Sequence, residues 1–371
     1  MKILLVSSLF PPDKGVSTHR IAFFAEELGK IHEVDILKFG NNTCLDGKIK
    51  TIDKSYFSSL AKTLLNKKNI ENILSPLIER YDLLIVSGPP YNIYEIANVA
   101  FNKKIKFVLD LRDQPDLIYS ELKKSSSKIL LKIKLYLTNY YINSIAKKSQ
   151  FVSCVGGISS AITQTYFAGT DTKVINIHNG FLERDIYLVD TYRSCEVDTT
   201  KIVIGCVGSL HNFRATNDLF KTFSELENLN KPVIIRHWGI LCDEILNQIK
   251  QYRNITYEKC PPIDRILLLQ DLSKVDAFLL PCSDDLIWEP TTSVFDYILF
   301  SKPVIFCGLR NNEAYSILES VNQPIVTSNR IKHIDEILSR TSTRSPEEIL
   351  SFSRENSFLR FKRGIDEVFD E

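Results

Sequence analysis

The sequence predicts an α/β protein with two parallel sheets, one in each half of the chain. Three observations carry this. Ile3-Leu4-Leu5-Val6 is an apolar run followed by a loop, residues 7–15, and then by a helical pattern that starts near Thr18. The plan recurs past mid-chain, where the apolar run 202–207 precedes a loop at 208–213 and a helix through Leu219 and Phe223. Strands buried on both faces read as continuous apolar runs, and such runs alternate with helical stretches through both halves. That alternation implies parallel strands joined by right-handed crossovers. Two Rossmann-like sheets are expected to face each other across a central cleft, with one substrate held on each half.

Length and composition agree. The chain has 371 residues, more than one ordinary core and comfortable for two. Apolar content of 44% and charged content of 25% are those of a globular protein. A net charge of +1 gives no global basic field, so no nucleic-acid partner is expected. There is no apolar run long enough to span a membrane, and the N-terminal apolar stretch is too short for a signal peptide. The expected location is cytoplasmic. The eight cysteines contain no C-x-x-C pair and the six histidines no H-x-x-x-H spacing. Several cysteines sit inside apolar runs and read as small buried hydrophobes, so no metal site is expected.

In the first half, Ile21, Phe24, Ala25 and Leu28 lie at helical spacing within a helix at 18–30. Strands are expected at 33–37, at 83–86 ending in Ser87-Gly88-Pro89-Pro90, at 106–110 ending in Leu111-Arg112-Asp113, at 151–155 and at 173–177. Residues 183–200 are polar without a clear period and are placed as a linker. Further strands are expected at 202–207, 232–236, 255–257, 277–280 and 303–306, and a single charged amphipathic helix at 345–369. The expected domains are 1–185, 186–344, and a C-terminal helix, 345–371, that crosses back to the first domain.

No G-x-G-x-x-G, Walker A lysine loop or G-x-S-x-G elbow opens either half, which disfavours dinucleotide, P-loop and hydrolase chemistry. The candidate site residues stand at strand ends. Gly15 lets the backbone approach a ligand, or marks a plain turn, and Ser17 or Thr18 can cap the helix that follows. Asp110-Leu111-Arg112-Asp113 directly follows a buried strand and is either a structural ion pair or a site. Arg214 lies near a helix start, where a guanidinium and backbone N–H groups suit a diphosphate; the alternative is a surface arginine. Pro290-Thr291-Thr292-Ser293 opens a helix whose N–H groups form a second anion site, and Asp296, one turn in, is either a ribose-hydroxyl acceptor or a solvated aspartate. Residues 122–148 interleave seven lysines with Ile, Leu and Tyr. They form either a face for an anionic membrane surface or an ordinary outer helix.

Together these positions resemble the GT-B fold glycosyltransferases, in particular the retaining family 4 group of bacterial surface polysaccharide synthesis. The resemblance rests on Val6-Ser7-Ser8-Leu9-Phe10-Pro11-Pro12 with Gly15, Leu109-Asp110-Leu111-Arg112-Asp113, Ile177-His178-Asn179-Gly180-Phe181, Val207-Gly208-Ser209-Leu210, and Ser293-Val294-Phe295-Asp296-Tyr297-Ile298 followed by Lys302-Pro303-Val304. It implies a first domain for the acceptor and a second for a nucleotide-sugar donor, without cofactor or metal. Donor contacts would come from Gly15, Ser209, Arg214, Gly239, Thr292, Ser293 and Asp296, with the base near Cys260-Pro261-Pro262. Acceptor contacts would come from Arg20, Asp110 and Arg112, and Asp113, His19 and Glu289 are the catalytic candidates. The chain departs from the family pattern at His178, where a proline is common, and in four further places. Ser209 and Ser293 stand where the family carries basic residues, Asp296 shortens a glutamate, and Trp288 takes the place of the paired glutamate, with Glu289 beside it. Positive charge at the diphosphate is therefore thinner, with helix N-termini, His211 or another basic residue supplying the rest.

The resemblance implies a hexosyltransferase acting on a glycan or lipid-linked glycan, peripheral on the inner face of the cytoplasmic membrane. Two alternatives stay open: a nucleotide-sugar epimerase or hydrolase of the same fold, and a non-catalytic nucleotide-sugar-binding member.

Overall fold

Both faces of the first strand are buried, which is why its sequence does not alternate. The computed structural model describes residues 1–13, 16–113, 128–192, 200–211, 214–288, 291–338 and 345–370. In it, β1 (Lys2–Ser7) sends Leu4 and Val6 into one apolar core and Ile3 and Leu5 into a second core on the opposite face. By its contacts the chain forms two units, Met1–His178 with Phe358–Glu371, and Asn179–Ser357.

The first unit is a parallel sheet. Beside β1 lie β2 (Glu33–Gly40) and β3 (Ile49–Asp53) on one side, and β4 (Leu83–Gly88), β5 (Lys106–Leu111), β6 (Phe151–Cys154) and β7 (Lys173–Asn176) on the other. Leu5 is in register with Ile36 of β2 and Ile85 of β4. The winding reverses between β1 and β4, which makes that pair the topological switch point. One face is covered by the helix Val16–Gly29, through Ile21, Phe24 and Leu28. Phe358, Phe361 and Ile365 from the last helix join the same core. Phe24 and Phe361 stack with ring centroids 5.0 Å apart. Burying Phe361 contributes roughly 2–3 kcal/mol by transfer alone. The helix lies close because Gly364 carries no side chain: a Cβ there would stand 2.6 Å from Ile175 Cδ1. The helices Lys67–Ile78, Glu95–Asn102 and Lys128–Ala146 cover the other face.

The second unit repeats the plan with β8 (Ile202–Val207), β9 (Val233–Trp238), β10 (Ile255–Lys259), β11 (Ala277–Pro281), β12 (Val304–Cys307) and β13 (Ile325–Val326). The order is β10-β9-β8-β11-β12-β13, all parallel, so the switch point lies between β8 and β11. Ile204, Cys206, Leu279 and Ile305 feed one core; Val203, Phe278, Leu280 and Phe306 feed the other.

Four features differ from the sequence reading. Strands β3 and β13 were not expected; β3 is an edge strand of mixed polarity and β13 has two residues. The supposed linker begins with a helix, Glu183–Thr191. Asp185 accepts the Leu182 N–H at 3.2 Å and pairs with Arg265 at 3.0 Å, so tertiary charge holds a helix that periodicity does not reveal. The C-terminal tail is two helices, Pro346–Leu350 and Arg354–Asp370. Between them the buried Ser353 caps the second helix by accepting the Asn356 N–H at 3.0 Å, and the Arg354 N–H bonds the Phe181 carbonyl at 2.7 Å.

That last bond stitches residues 352–354 to the turn at Asn179-Gly180. Gly180 has φ +57°, and a Cβ on it would stand 2.4 Å from the Phe352 carbonyl oxygen. Gly180→Ala is expected to destabilise the protein by about 2–4 kcal/mol, through left-handed backbone strain and a backbone clash. Urea unfolding measures it; an unchanged midpoint would contradict the close contact of Gly180 with Phe352.

Candidate functional site

Open parallel sheets bind ligands beyond the carboxyl ends of their strands at the switch point. In the second unit β8 and β11 pair only through Ile204↔Ala277 and Gly205↔Phe278. Past that point the Tyr297 hydroxyl stands between them, accepting the Val207 N–H at 2.8 Å and donating to the Leu279 carbonyl at 3.2 Å. Tyr297 is fully buried and its ring stacks on Phe278 at 4.4 Å. The strand ends therefore separate, with Gly208-Ser209 after β8 and Cys282-Ser283 after β11.

The loop after β8 is tied to the end of β9. Gly208 N–H bonds the Trp238 carbonyl at 2.9 Å, and Leu210 N–H bonds that of Ile240 at 2.7 Å. Gly239 is glycine because a Cβ there would stand 2.1 Å from the Gly208 oxygen. Beneath this contact lies His237, fully buried. Its Nε2 is 2.7 Å from the Gly208 oxygen and its Nδ1 is 3.0 Å from the Tyr257 hydroxyl. A carbonyl only accepts, so Nε2 carries the proton and Nδ1 accepts from Tyr257. Burial holds the imidazole below its ordinary pKa, hence neutral. Cys260, where the base was expected, donates its N–H to the His237 carbonyl at 2.9 Å.

Arg214 is half-buried, with its backbone N–H on the His211 carbonyl at 2.9 Å. Burial pushes the thiols of Cys206 and Cys282 up to about 12, and the Arg214 charge opposes that rise at both. Those cysteines flank the switch point, so the Arg214 charge acts there, with that of Asp284 opposing it at Cys282. Ser209 lies half-buried in the same loop.

Two expectations for this unit are corrected. The helix after Ser293 is the short Val294–Tyr297, and Ser293, which is buried, does not cap it. The amides of Val294, Phe295 and Asp296 are used internally, on the carbonyls of Thr291 (3.0 Å), Thr292 (3.2 Å) and Ser293 (3.0 Å). Thr292 is exposed. Asp296 is not a solvated aspartate: its Oδ1 is 2.5 Å from an Arg265 nitrogen, and Arg265 also holds the buried Asp185 at 3.0 Å. Burial alone would lower the Arg265 pKa, but Asp296 and Asp185 together raise it.

In the first unit the loops at the switch point are tied by Ser8 Oγ donating to the Pro89 carbonyl at 3.2 Å. Arg20, Asp110 and Arg112, expected to meet an acceptor, are buried and bonded inward. Asp110 accepts from Arg20 at 2.8 Å and from Ser87 and Ser153 at 2.7 Å each. Arg20 also donates to the Ile177 carbonyl at 2.7 Å and the His178 carbonyl at 3.1 Å, and Arg112 to those of Gly88 at 3.0 Å and Pro89 at 3.1 Å. These side chains lock the ends of the strands; they do not present themselves to a ligand. Asp113 is half-buried past β5, its carbonyl accepting from the Tyr91 hydroxyl at 3.1 Å, and His19 is exposed on the first helix. Gly15 and Glu289 lie outside the described residues. Among the described residues no group of three His, Cys, Asp or Glu side chains is placed to hold a metal ion.

Sequence reasoning missed Arg265, Asp185, His237, Tyr257 and Tyr297. Arg265 had a signal. A cation directly after the Asp264 cap opposes the helix dipole, which calls for a tertiary partner.

No protein-family model and no curated protein matches the chain. Solved structures match along its whole length. The Anabaena HepE protein, in complex with UDP and glucose, is 15% identical with a TM-score of 0.65, over 99% of this chain and 100% of that one. UDP-GlcNAc 2-epimerase from Methanocaldococcus jannaschii is 13% identical with a TM-score of 0.58, over 99% of each chain. The N-terminal domain of Candida albicans trehalose-6-phosphate phosphatase is 11% identical with a TM-score of 0.68, over 100% of this chain and 96% of that one. The fold is GT-B-like. It consists of two Rossmann-like units with sheets of seven and six strands.

The Asp110 network makes a pH prediction. Burial raises its pKa, but Arg20 and the two serines outweigh this and hold the carboxyl below its usual range. The stability this contributes is complete above the unfolded aspartate pKa, about 3.9, and is lost as pH falls below it. Asp110→Asn is expected to flatten the acid limb of thermal stability below about pH 4, and Arg20→Met to cost about 3–5 kcal/mol by stranding the carboxylate. Melting curves from pH 3 to 7 measure both; an unaltered acid limb in the asparagine variant contradicts the assignment.

Proposed function

We propose that the chain is a glycosyltransferase that moves a sugar, with retention, from a nucleotide-sugar to a glycan or lipid-linked glycan in surface polysaccharide synthesis. The observation that carries this is the Arg214 cation at the β8–β11 switch point, beside the Gly208-Ser209 loop. Whole-length likeness to proteins solved with UDP supports a uridine diphosphate donor. In the transfer the bond from the anomeric carbon to the diphosphate oxygen breaks, and a bond to the acceptor oxygen forms on the same face. The acceptor proton passes to the departing diphosphate. Arg214 and backbone amides of the loop stabilise the charge that develops there, and no metal has a part in the reading. Asp113 and His19 are assigned to orienting the acceptor hydroxyl. Glu289 keeps its assignment to the sugar.

A second reading, an epimerase that needs no acceptor, is favoured by likeness to UDP-GlcNAc 2-epimerases over 99% of the chain. Incubating the protein with donor alone separates the two, since rapid turnover of UDP-sugar without acceptor supports the epimerase. A thermal-shift screen against UDP-, GDP- and dTDP-sugars tests both, and no shift with any of them leaves the non-catalytic alternative. Arg214→Ala is expected to weaken UDP-sugar binding about 10-fold or more, the loss of one charge-assisted contact. Unchanged affinity would remove Arg214 from the site.

The helix Lys128–Ala146 carries no acidic residue. Its Ile142, Ile145 and Ala146 are buried, and Tyr141 donates to the buried Glu95 at 2.9 Å. Ile133, Tyr136, Leu137 and Tyr140 form an exposed stripe at helical spacing, with Tyr136 71% and Tyr140 68% exposed. Lys132, Lys147 and Lys148 are exposed. Residues 122–127 lie outside the described set. Among the described residues no helix is long and apolar enough to cross a membrane. We assign this stripe to an anionic bilayer surface, where lysines add attraction and the aromatic rings insert. Sedimentation with anionic vesicles is expected to fall several-fold in Tyr136→Ser/Leu137→Ser and in high salt; equal binding to neutral vesicles would contradict the electrostatic part.

A further inference from the structure

The orientation of one peptide group extends the donor reading, and rests on it. A trans peptide is planar, with its C=O and N–H pointing in opposite directions. The Gly208 carbonyl points to β9, where His237 donates to it at 2.7 Å. The N–H of the same peptide belongs to Ser209, and therefore points away from β9. The neighbouring amides, Gly208 and Leu210, send their N–H groups to the β9 side, onto Trp238 and Ile240. On that side β8 would meet β11, but the two have already diverged around Tyr297. The Ser209 amide has no backbone partner among the described residues.

Gly208 has φ +100°, so a regular strand ladder does not hold this peptide in place. His237 does so, and Tyr257 holds His237 in the required tautomer by donating to Nδ1. Both ring nitrogens are thus engaged, which leaves the imidazole no part in proton transfer.

We infer that His237 is a positioning residue, fixing the Gly208–Ser209 peptide so that the Ser209 N–H donates to the diphosphate of the bound nucleotide. The side chain at 209, where the family carries a cation, is then secondary to its backbone. A peptide dipole aimed in advance stabilises developing charge without reorganising.

The test compares UDP with uridine, which lacks the phosphates. His237→Leu removes the donor at similar volume; His237→Gln places an amide N–H at a similar reach. The leucine variant is expected to bind UDP about 10-fold more weakly, with uridine affinity within about 2-fold of wild type, and the glutamine variant to recover UDP to within about 3-fold. Equal weakening of both ligands, or unchanged UDP binding in the leucine variant, overturns the inference. Should the leucine variant fail to fold, Tyr257→Phe is the milder probe, with the same UDP-selective loss expected at about 3-fold and equal loss for both ligands counting against it. Nitrogen-15 NMR of the histidines supplies a ligand-independent reading on the wild-type protein. A proton on Nε2 of His237 is expected, and a proton on Nδ1 overturns the geometry even if UDP binds. Wild-type protein that binds no UDP while showing the Nε2 tautomer overturns the donor reading and the phosphate role together, leaving the loop bond purely structural.

Discussion

One buried hydroxyl keeps the carboxyl ends of β8 and β11 apart. Tyr297 uses its oxygen twice, accepting from Val207 and donating to Leu279, so both strands lose a ladder partner without leaving a polar group unpaired. Stacking on Phe278 sets the ring, and the ring sets the oxygen. The switch point is where parallel sheets leave room for a ligand, and here a side chain holds that room open. The Ser209 amide, turned from β9 by the bond between Gly208 and His237, opens on the side where these two strands part.

Charged residues at the strand ends divide into two kinds, and partner supply decides between them. Asp110 has two serines and an arginine within hydrogen-bond distance, and Arg20 has two carbonyls besides. A carboxylate so supplied gains nothing from a ligand and would lose partners by turning towards one. Such networks rigidify the backbone around them. In the first unit they fix the loops after β1, β4 and β5, which makes Asp110 a support for any site there. Asp296 shares part of this character, with one oxygen on Arg265.

What the sequence shows and hides follows the same logic. Strands β1, β4, β8 and β11 were legible because burial on both faces leaves no polar position in the run. Edge strands carry weaker patterns, so Ile49–Asp53 and Ile325–Val326 passed unread. The helix Glu183–Thr191 owes its place to Asp185 meeting Arg265, residues 80 apart in the chain, and no local period reports that. Arg214 was legible as a candidate from its place after an apolar run and a glycine. The His237–Tyr257 pair was not, because it joins neighbouring strands whose register only the sheet reveals.

Two carboxylates weigh on the charge at the proposed diphosphate site, Asp284 through Cys282 and Asp296 through Tyr297. A carboxylate one residue from Tyr297 opposes the binding of a dianion, and Arg265, bonded to Asp296 and Asp185 with Arg354 acting on the same pair, offsets it. Of the remaining charged groups, Arg214 supplies the formal cation. His237 adds none, since burial keeps it neutral, yet it sets the direction of a peptide dipole. Where the resembling family carries a second basic side chain, this chain has Ser209, and a fixed amide can take its place. A lysine brings more charge but must be ordered as the ligand binds, whereas an amide held by Gly208, His237 and Tyr257 is ordered beforehand. Thin formal charge is therefore compatible with a working phosphate site, provided that the peptide which makes up the difference is held as rigidly as its bonds indicate.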